Sequence, residues 1–130
     1  MIKAVSNKSN RQDKYPVSEY GVAKAKEVCA YHQSYPEYTM TPLVKLDALA
    51  NALGVSKIMV KDESKRFGLN AFKVLGGSYC IGKYIAERLQ LPEEKFNFDT
   101  LVSDEVKAEL GELTFVTATD GNHGRGVAWT

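Results

Sequence analysis

Residues 61–77 read K-D-E-S-K-R-F-G-L-N-A-F-K-V-L-G-G, and the rest of the chain is placed around them. An apolar run ends in charge, a polar loop follows, and a helix opens with Lys73 between Phe72 and Val74. An amine held dry at a helix start can lose its proton and act as a nucleophile, which suits Schiff-base chemistry with an aldehyde cofactor. The competing reading is a surface lysine with apolar neighbours, since exposed lysines are common. Gly76 and Gly77, in the first turns of that helix, cost roughly 1 kcal/mol each against alanine. Either something approaches their backbone closely or another helix crosses there.

Upstream, residues 55–60 (V-S-K-I-M-V) read as a strand running into Lys61-Asp62-Glu63. Leu46, Leu49, Ala50 and Leu53 make a short amphipathic helix that stops at Gly54, a C-cap. In Y-P-E-Y-T-M-T-P-L, Pro36 and Pro42 force extended backbone before each. A helix from Ser18-Glu19 to about Gln33 carries Val22, Ala25, Val28 and Cys29 at helical spacing, with His32 at its exposed end. Residues 1–16 are polar and read as an arm.

Downstream, Val74, Leu75, Cys80, Ile81, Tyr84, Ile85 and Leu89 form a helical stripe closed by Pro92. A helix over residues 104–110 ends at Gly111, and residues 113–119 (L-T-F-V-T-A-T) are β-branched and apolar enough for a buried strand. Alternating helices and strands predict an α/β fold with a parallel sheet. Trp129 and Thr130 supply no cap, so the last helix reads as cut off and the chain as the front of a longer protein.

The 130 residues have room for one domain and a modest core. Seventeen Lys/Arg against sixteen Asp/Glu give +1, so no strong field argues for nucleic acid or an anionic membrane surface. Cys29 and Cys80 are too few and too isolated for a disulfide framework or a zinc site, and no metal cluster is expected. A reduced, cytoplasmic setting is the default expectation.

A second stretch, residues 119–126 (T-D-G-N-H-G-R-G), joins the expected strand to the last helix. N–H groups at a helix start point outward, and glycines let an anion come close. The order of glycines is not the dinucleotide fingerprint, and no G-K-[ST] makes it a phosphate loop. His123 could be a base or ligand, although a histidine in such a turn is more often a structural hydrogen-bonder. Asp120 either caps the helix or sets a carboxylate beside a bound anion, where it needs a proton to take or a cation to meet.

Together the two stretches resemble two signatures of the fold-type-II pyridoxal-phosphate enzymes, the superfamily of tryptophan synthase β and threonine dehydratase. Glu63, Phe72, Lys73 and Gly76 match the lysine signature. Gly121, Asn122, His123, Gly126 and Ala128 match S-x-G-N-H-x-x-G-x-A, with Thr119 where serine is usual. Thr41-Pro42-Leu43 is a further family feature. R-F-G-L-N-A-F-K and T-A-T-D-G-N-H-G-R-G-V-A-W are similar to the versions in one branch, the ammonia-lyases acting on 2,3-diaminopropionate. Relatives acting on hydroxyamino acids generally carry a small residue where Asp120 stands.

The resemblance implies an α/β three-layer parallel sheet with flanking helices, of which this chain is the incomplete N-terminal part. Residues 17–76 would begin the large cofactor domain, and residues 77–130 would be part of the smaller, truncated one. Lys73 would hold pyridoxal 5'-phosphate as a Schiff base, and Asn122 would meet the ring hydroxyl. Thr119, Gly121 and His123 would form the loop for the substrate carboxylate. Lys73 and Asp120 would be catalytic: the lysine removes the α-proton from one face, and the aspartate removes it from the other or pairs with the β-ammonium. The implied reaction is α,β-elimination to pyruvate and ammonia by a cytoplasmic homodimer acting on a small amino acid. The family's phosphate loop and its partner for the pyridine nitrogen lie further along, so these residues alone are expected to hold the cofactor poorly. Two alternatives stand beside this: a serine/threonine dehydratase-type enzyme, and a non-catalytic truncated fragment that self-associates through an open sheet edge.

Overall fold

The computed structural model describes residues 17–119 and 121–130; the expected arm, residues 1–16, and Asp120 lie outside the described residues. A short 3-10 turn at Val17–Tyr20 leads through Gly21 into helix α1, Val22–Gln33. This helix buries its C-terminal end, Tyr31 and His32, while Val22 lies exposed. His32 is therefore not an exposed helix end. Its two ring nitrogens meet the carbonyls of Val28 (2.8 Å) and Leu75 (2.9 Å), which satisfies a polar ring in a dry place.

Strand β1, Leu43–Lys45, pairs antiparallel with β2, Met59–Lys61, in the register Val44 opposite Val60. Leu46 N–H to the Ile58 carbonyl and Asp62 N–H to the Pro42 carbonyl extend the ladder at either end. The segment just after Pro42 is thus one strand of an antiparallel pair, and the strand expected over residues 55–60 is confined to its end. Between the strands lies α2, Asp47–Leu53, stopped by Gly54 in the left-handed region (φ 67°). Glycine meets no steric penalty there.

Helix α3, Lys73–Arg88, is the long element, and its buried residues Val74, Ser78, Gly82 and Ala86 recur every fourth position. That row is one face of an α-helix. Gly82 has no Cβ because Tyr31 lies against it, and the Tyr31 hydroxyl donates to the Ser78 carbonyl at 2.9 Å. Tyr31 also stacks on Phe96 (centroids 4.5 Å, 8°), and Tyr35 packs on Phe98 at 4.6 Å. Such pairs contribute about 0.5–1.5 kcal/mol each beyond their burial. Two short helices follow: α4, Phe98–Leu101, with Asn97 accepting from Thr100 N–H, and α5, Asp104–Leu110, with Ser103 accepting from Val106 N–H. The last helix, α6, is Asn122–Trp129.

Residues 113–119 form no strand. A parallel strand needs a neighbour on which to place its N–H and C=O groups, and β1 and β2 pair only with each other. The antiparallel pair is the one sheet among the described residues, so the expected three-layer parallel sheet is not formed by them. No helix among them is long and apolar enough to cross a membrane.

Candidate active site

The approach to Lys73 is held by a partly buried ion pair. Arg66, 5% exposed, donates to both Glu63 oxygens (2.8 and 3.0 Å), to the Thr39 carbonyl (3.0 Å) and to the Thr41 hydroxyl (3.0 Å). Its guanidinium lies over the rings of Tyr38 and Phe67. The guanidinium beside Glu63 holds that carboxyl below its usual range. Every buried polar side-chain atom among the described residues has a partner, so the cluster fixes the loop against the segment before β1. Beyond it, Phe67 (φ 47°), Gly68 (φ 67°) and Asn70 (φ 56°) turn the chain toward Lys73. Glycine and asparagine visit that region readily, whereas an aromatic residue does so at a cost of about 1–3 kcal/mol. Phe67 is held there by stacking on Trp129 at 4.7 Å.

Lys73, the first residue of α3, lines a groove of about 510 Å³. Phe72, Leu75, Ile81, Phe115 and Val116 supply apolar walls, and His123 faces the same space. The two glycines after Lys73 divide between the two readings of their cost. A Cβ on Gly77 would touch Val127 of α6 at 3.7 Å, so it marks a helix crossing. One on Gly76 would meet nothing within 4 Å, so that glycine keeps α3's backbone open toward the groove. The tighter crossing is at Gly126, where a Cβ would stand 2.9 Å from Val74 Cα. This approach sets the first turn of α6 beside Lys73. Lys73 itself is exposed: the dry setting expected for it is not supplied by the described residues.

The turn before α6 is shaped by Thr119. Its hydroxyl accepts from Gly121 N–H (3.1 Å) and Gly124 N–H (2.6 Å), and Gly121 sits at φ 123°. Thr119 lines an adjoining cavity of about 550 Å³ that shares Phe115, Val116, Thr117 and Val127 with the groove. Asn122 and Gly121 are exposed at the helix start. Lys73 and His123 are therefore brought together, Thr119 stands alongside, Asn122 lines neither cavity, and Asp120 lies outside the described residues. Sequence reading missed Arg66 and gave Thr41 no role, although Glu63 and Arg66 at i,i+3 carried a local signal.

A flat aromatic aldehyde fits this groove: an amine on its rim, a backbone left open by Gly76, apolar walls, and a helix N-terminus that favours anions. Residues 35–130 match the pyridoxal-phosphate dependent enzyme family, and the chain belongs to it. The described residues are thus part of a fold-type-II enzyme with pyridoxal phosphate as its cofactor.

Its relatives narrow the class. The chain is 54% identical over 103 residues to the diaminopropionate ammonia-lyase of Salmonella typhimurium, covering 79% of this chain and 26% of that protein. It is 52% identical over 111 residues to the Escherichia coli K12 enzyme, covering 85% and 27%. The crystal structure of the E. coli enzyme in apo form superposes with a TM-score of 0.76 at 49% identity, covering 90% of this chain and 30% of that one. Its complex with an aminoacrylate-PLP azomethine intermediate gives 0.72, covering 27% of that chain. The chain spans about a quarter of the length of the curated relatives it matches.

Proposed function

We propose that the whole protein catalyses the pyridoxal-phosphate-dependent α,β-elimination of 2,3-diaminopropionate to pyruvate and ammonia. The observation that carries this reading is that Lys73 and His123 of α6 line one groove, because Gly126 seats α6 on Val74. The similarity to enzymes named for that substrate supports it. Pyridoxal phosphate, when bound, serves as the electron sink for the substrate's Cα. Lys73 Nζ holds the cofactor and, once released, takes the α-proton from its face of the substrate. Asp120 takes the α-proton instead where the Cα–H lies on the opposite face, or pairs with the β-ammonium. Such an ion pair explains a carboxylate in a turn that also receives an anion. Thr119, Gly121 and His123 bind the substrate carboxylate, and Asn122 orients the cofactor's ring hydroxyl.

Within the whole protein, residues 17–76 begin the large domain and residues 77–130 belong to the smaller one. Residues 113–119 become one strand of a three-layer parallel sheet. Their composition and the exposure of Val116 support that assignment. The protein is a cytoplasmic homodimer of amino-acid degradation that takes a small amino acid and neither nucleic acid nor membrane.

The test supplies the full-length protein with 2,3-diaminopropionate, serine or threonine and follows the 2-oxo acid released. Pyruvate should form from diaminopropionate with kcat/KM above that for serine, and Lys73→Ala should abolish it. Asp120→Asn should lower kcat by about 10²–10⁴-fold, the usual weight of a general acid–base group. Faster turnover of serine or threonine would make the protein a dehydratase instead.

A further inference from the structure

Helix α6 is fastened to the lysine segment at two places. Gly126 rests on the backbone of Val74, and its neighbour Val127 lies against Gly77. Three residues beyond Gly126, the Trp129 ring stacks on Phe67 (4.7 Å, 28°) and on Tyr35 (5.6 Å, 23°). Phe67 stands six positions ahead of Lys73 and holds a left-handed backbone (φ 47°) that an aromatic residue keeps only when its surroundings compel it. The stack and the Arg66 cluster beside it provide that compulsion.

Two attachments on one rigid rod fix its axis. With a rise of about 1.5 Å per residue, Trp129 lies about 4.5 Å beyond the Gly126 pivot and Asn122 about 6 Å before it. A displacement at Trp129 therefore swings the first turn of α6 the opposite way by a slightly larger amount. That turn contributes His123 to the groove, whereas Lys73 belongs to α3 and does not ride on the rod.

We propose that the Phe67–Trp129 stack is a positioning clamp that sets where the first turn of α6 stands relative to Lys73, governing how substrate and cofactor ring are oriented and not whether Lys73 attaches the cofactor. The proposal rests on Lys73 as the cofactor-holding lysine. Phe67 and Trp129 are positioning residues: they act through α6.

The test uses the full-length, cofactor-loaded protein. Trp129→Leu removes the stack, and Trp129→Phe keeps an aromatic face. Phe67→Gly deletes the ring while accepting the same backbone angle without strain. Each variant is read for bound cofactor, from the visible absorbance of the lysine-bound form, and for kcat and KM. Trp129→Leu and Phe67→Gly should load cofactor to the wild-type stoichiometry yet lose about 10–100-fold in kcat/KM, the size expected for a misplacement near 1 Å. Trp129→Phe should recover most of that loss. In the double variant the losses should be less than multiplicative, because both substitutions remove the shared Phe67–Trp129 contact. Unchanged kcat/KM in loaded Trp129→Leu, losses that multiply in the double variant, or failure of Phe67→Gly to load cofactor would each overturn the clamp. If Trp129→Leu does not fold, Phe67→Gly decides. If the wild-type protein releases no pyruvate from 2,3-diaminopropionate, the functional reading fails separately. The clamp is then judged by spectral titration with the amino acid that shifts the cofactor band, where loss of affinity supports it and wild-type affinity overturns it.

Discussion

Two titrating residues govern different windows on the acid side of neutrality. Burial pushes the His32 imidazole below its usual pKa, and the nearby Arg66 charge acts the same way against two raising backbone hydrogen bonds. The unfolded chain then binds a proton that the fold resists, so stability is full above about pH 6.5 and falls as the pH drops below it. Glu27 works in a different window. Lys24, Lys83 (2.8 Å) and the Tyr79 hydroxyl (2.6 Å) hold its carboxyl at about 2. Its contribution is complete above the unfolded carboxylate value of about 4.3 and is lost as the pH falls toward the folded one. His32→Gln should therefore lower stability at neutral pH and flatten the decline between about pH 7 and 5, while Glu27→Gln should flatten only the limb below about pH 4.3. Denaturant midpoints measured across pH check both, and a wild-type midpoint constant from neutrality down to pH 5 would contradict the first. Lys73 and His123 line one groove, and the motifs that single them out are local. The role of Arg66 was not legible, because its partners Thr39 and Thr41 lie two strands and a helix away. His32 misled for the same reason: a place in a helix does not say which element covers it.

At the scale of elements, the crossing of α3 and α6 separates two glycines that look alike in sequence. A methyl group at Gly126 would meet the Val74 backbone from 2.9 Å, and the backbone cannot swing aside. Gly126→Ala should therefore destabilise by about 1–3 kcal/mol through overpacking, outweighing the helix-propensity gain of about 1 kcal/mol. At Gly76 nothing lies within 4 Å, so Gly76→Ala should stabilise α3 by about 0.5–1 kcal/mol. The same methyl projects toward the groove, so cofactor affinity should fall as the thermal midpoint rises. Both quantities can be measured on the full-length protein, and a Gly126→Ala variant as stable as wild type would refute the close crossing. Elements with local stop signals read true, as α2 does at Gly54 and α5 at Gly111. Residues 113–119 did not, since a strand is defined by a partner and none is supplied among the described residues. Helix α4 escaped notice because one turn, Phe98–Leu101, is too short for a period.

For the molecule as a whole, the family was readable from two motifs in order, but the groove they build is one-sided. Lys73 is exposed, Phe72 is 61% exposed, and Val116 is 91% exposed. Apolar surface of this kind is ordinarily covered, and uncovered it promotes association. A dianionic phosphate also needs several N–H donors or cations, and Lys73, already committed to the cofactor's aldehyde, is the one Lys or Arg lining the groove. The 130-residue chain produced on its own should therefore associate in solution and show at most a weak visible band after incubation with pyridoxal phosphate. The full-length protein should show a strong band that Lys73→Ala removes. Absorbance and light scattering on both proteins decide the matter. A strong band in the short chain, abolished by Lys73→Ala, would mean that the groove between α3 and α6 holds the cofactor without further help.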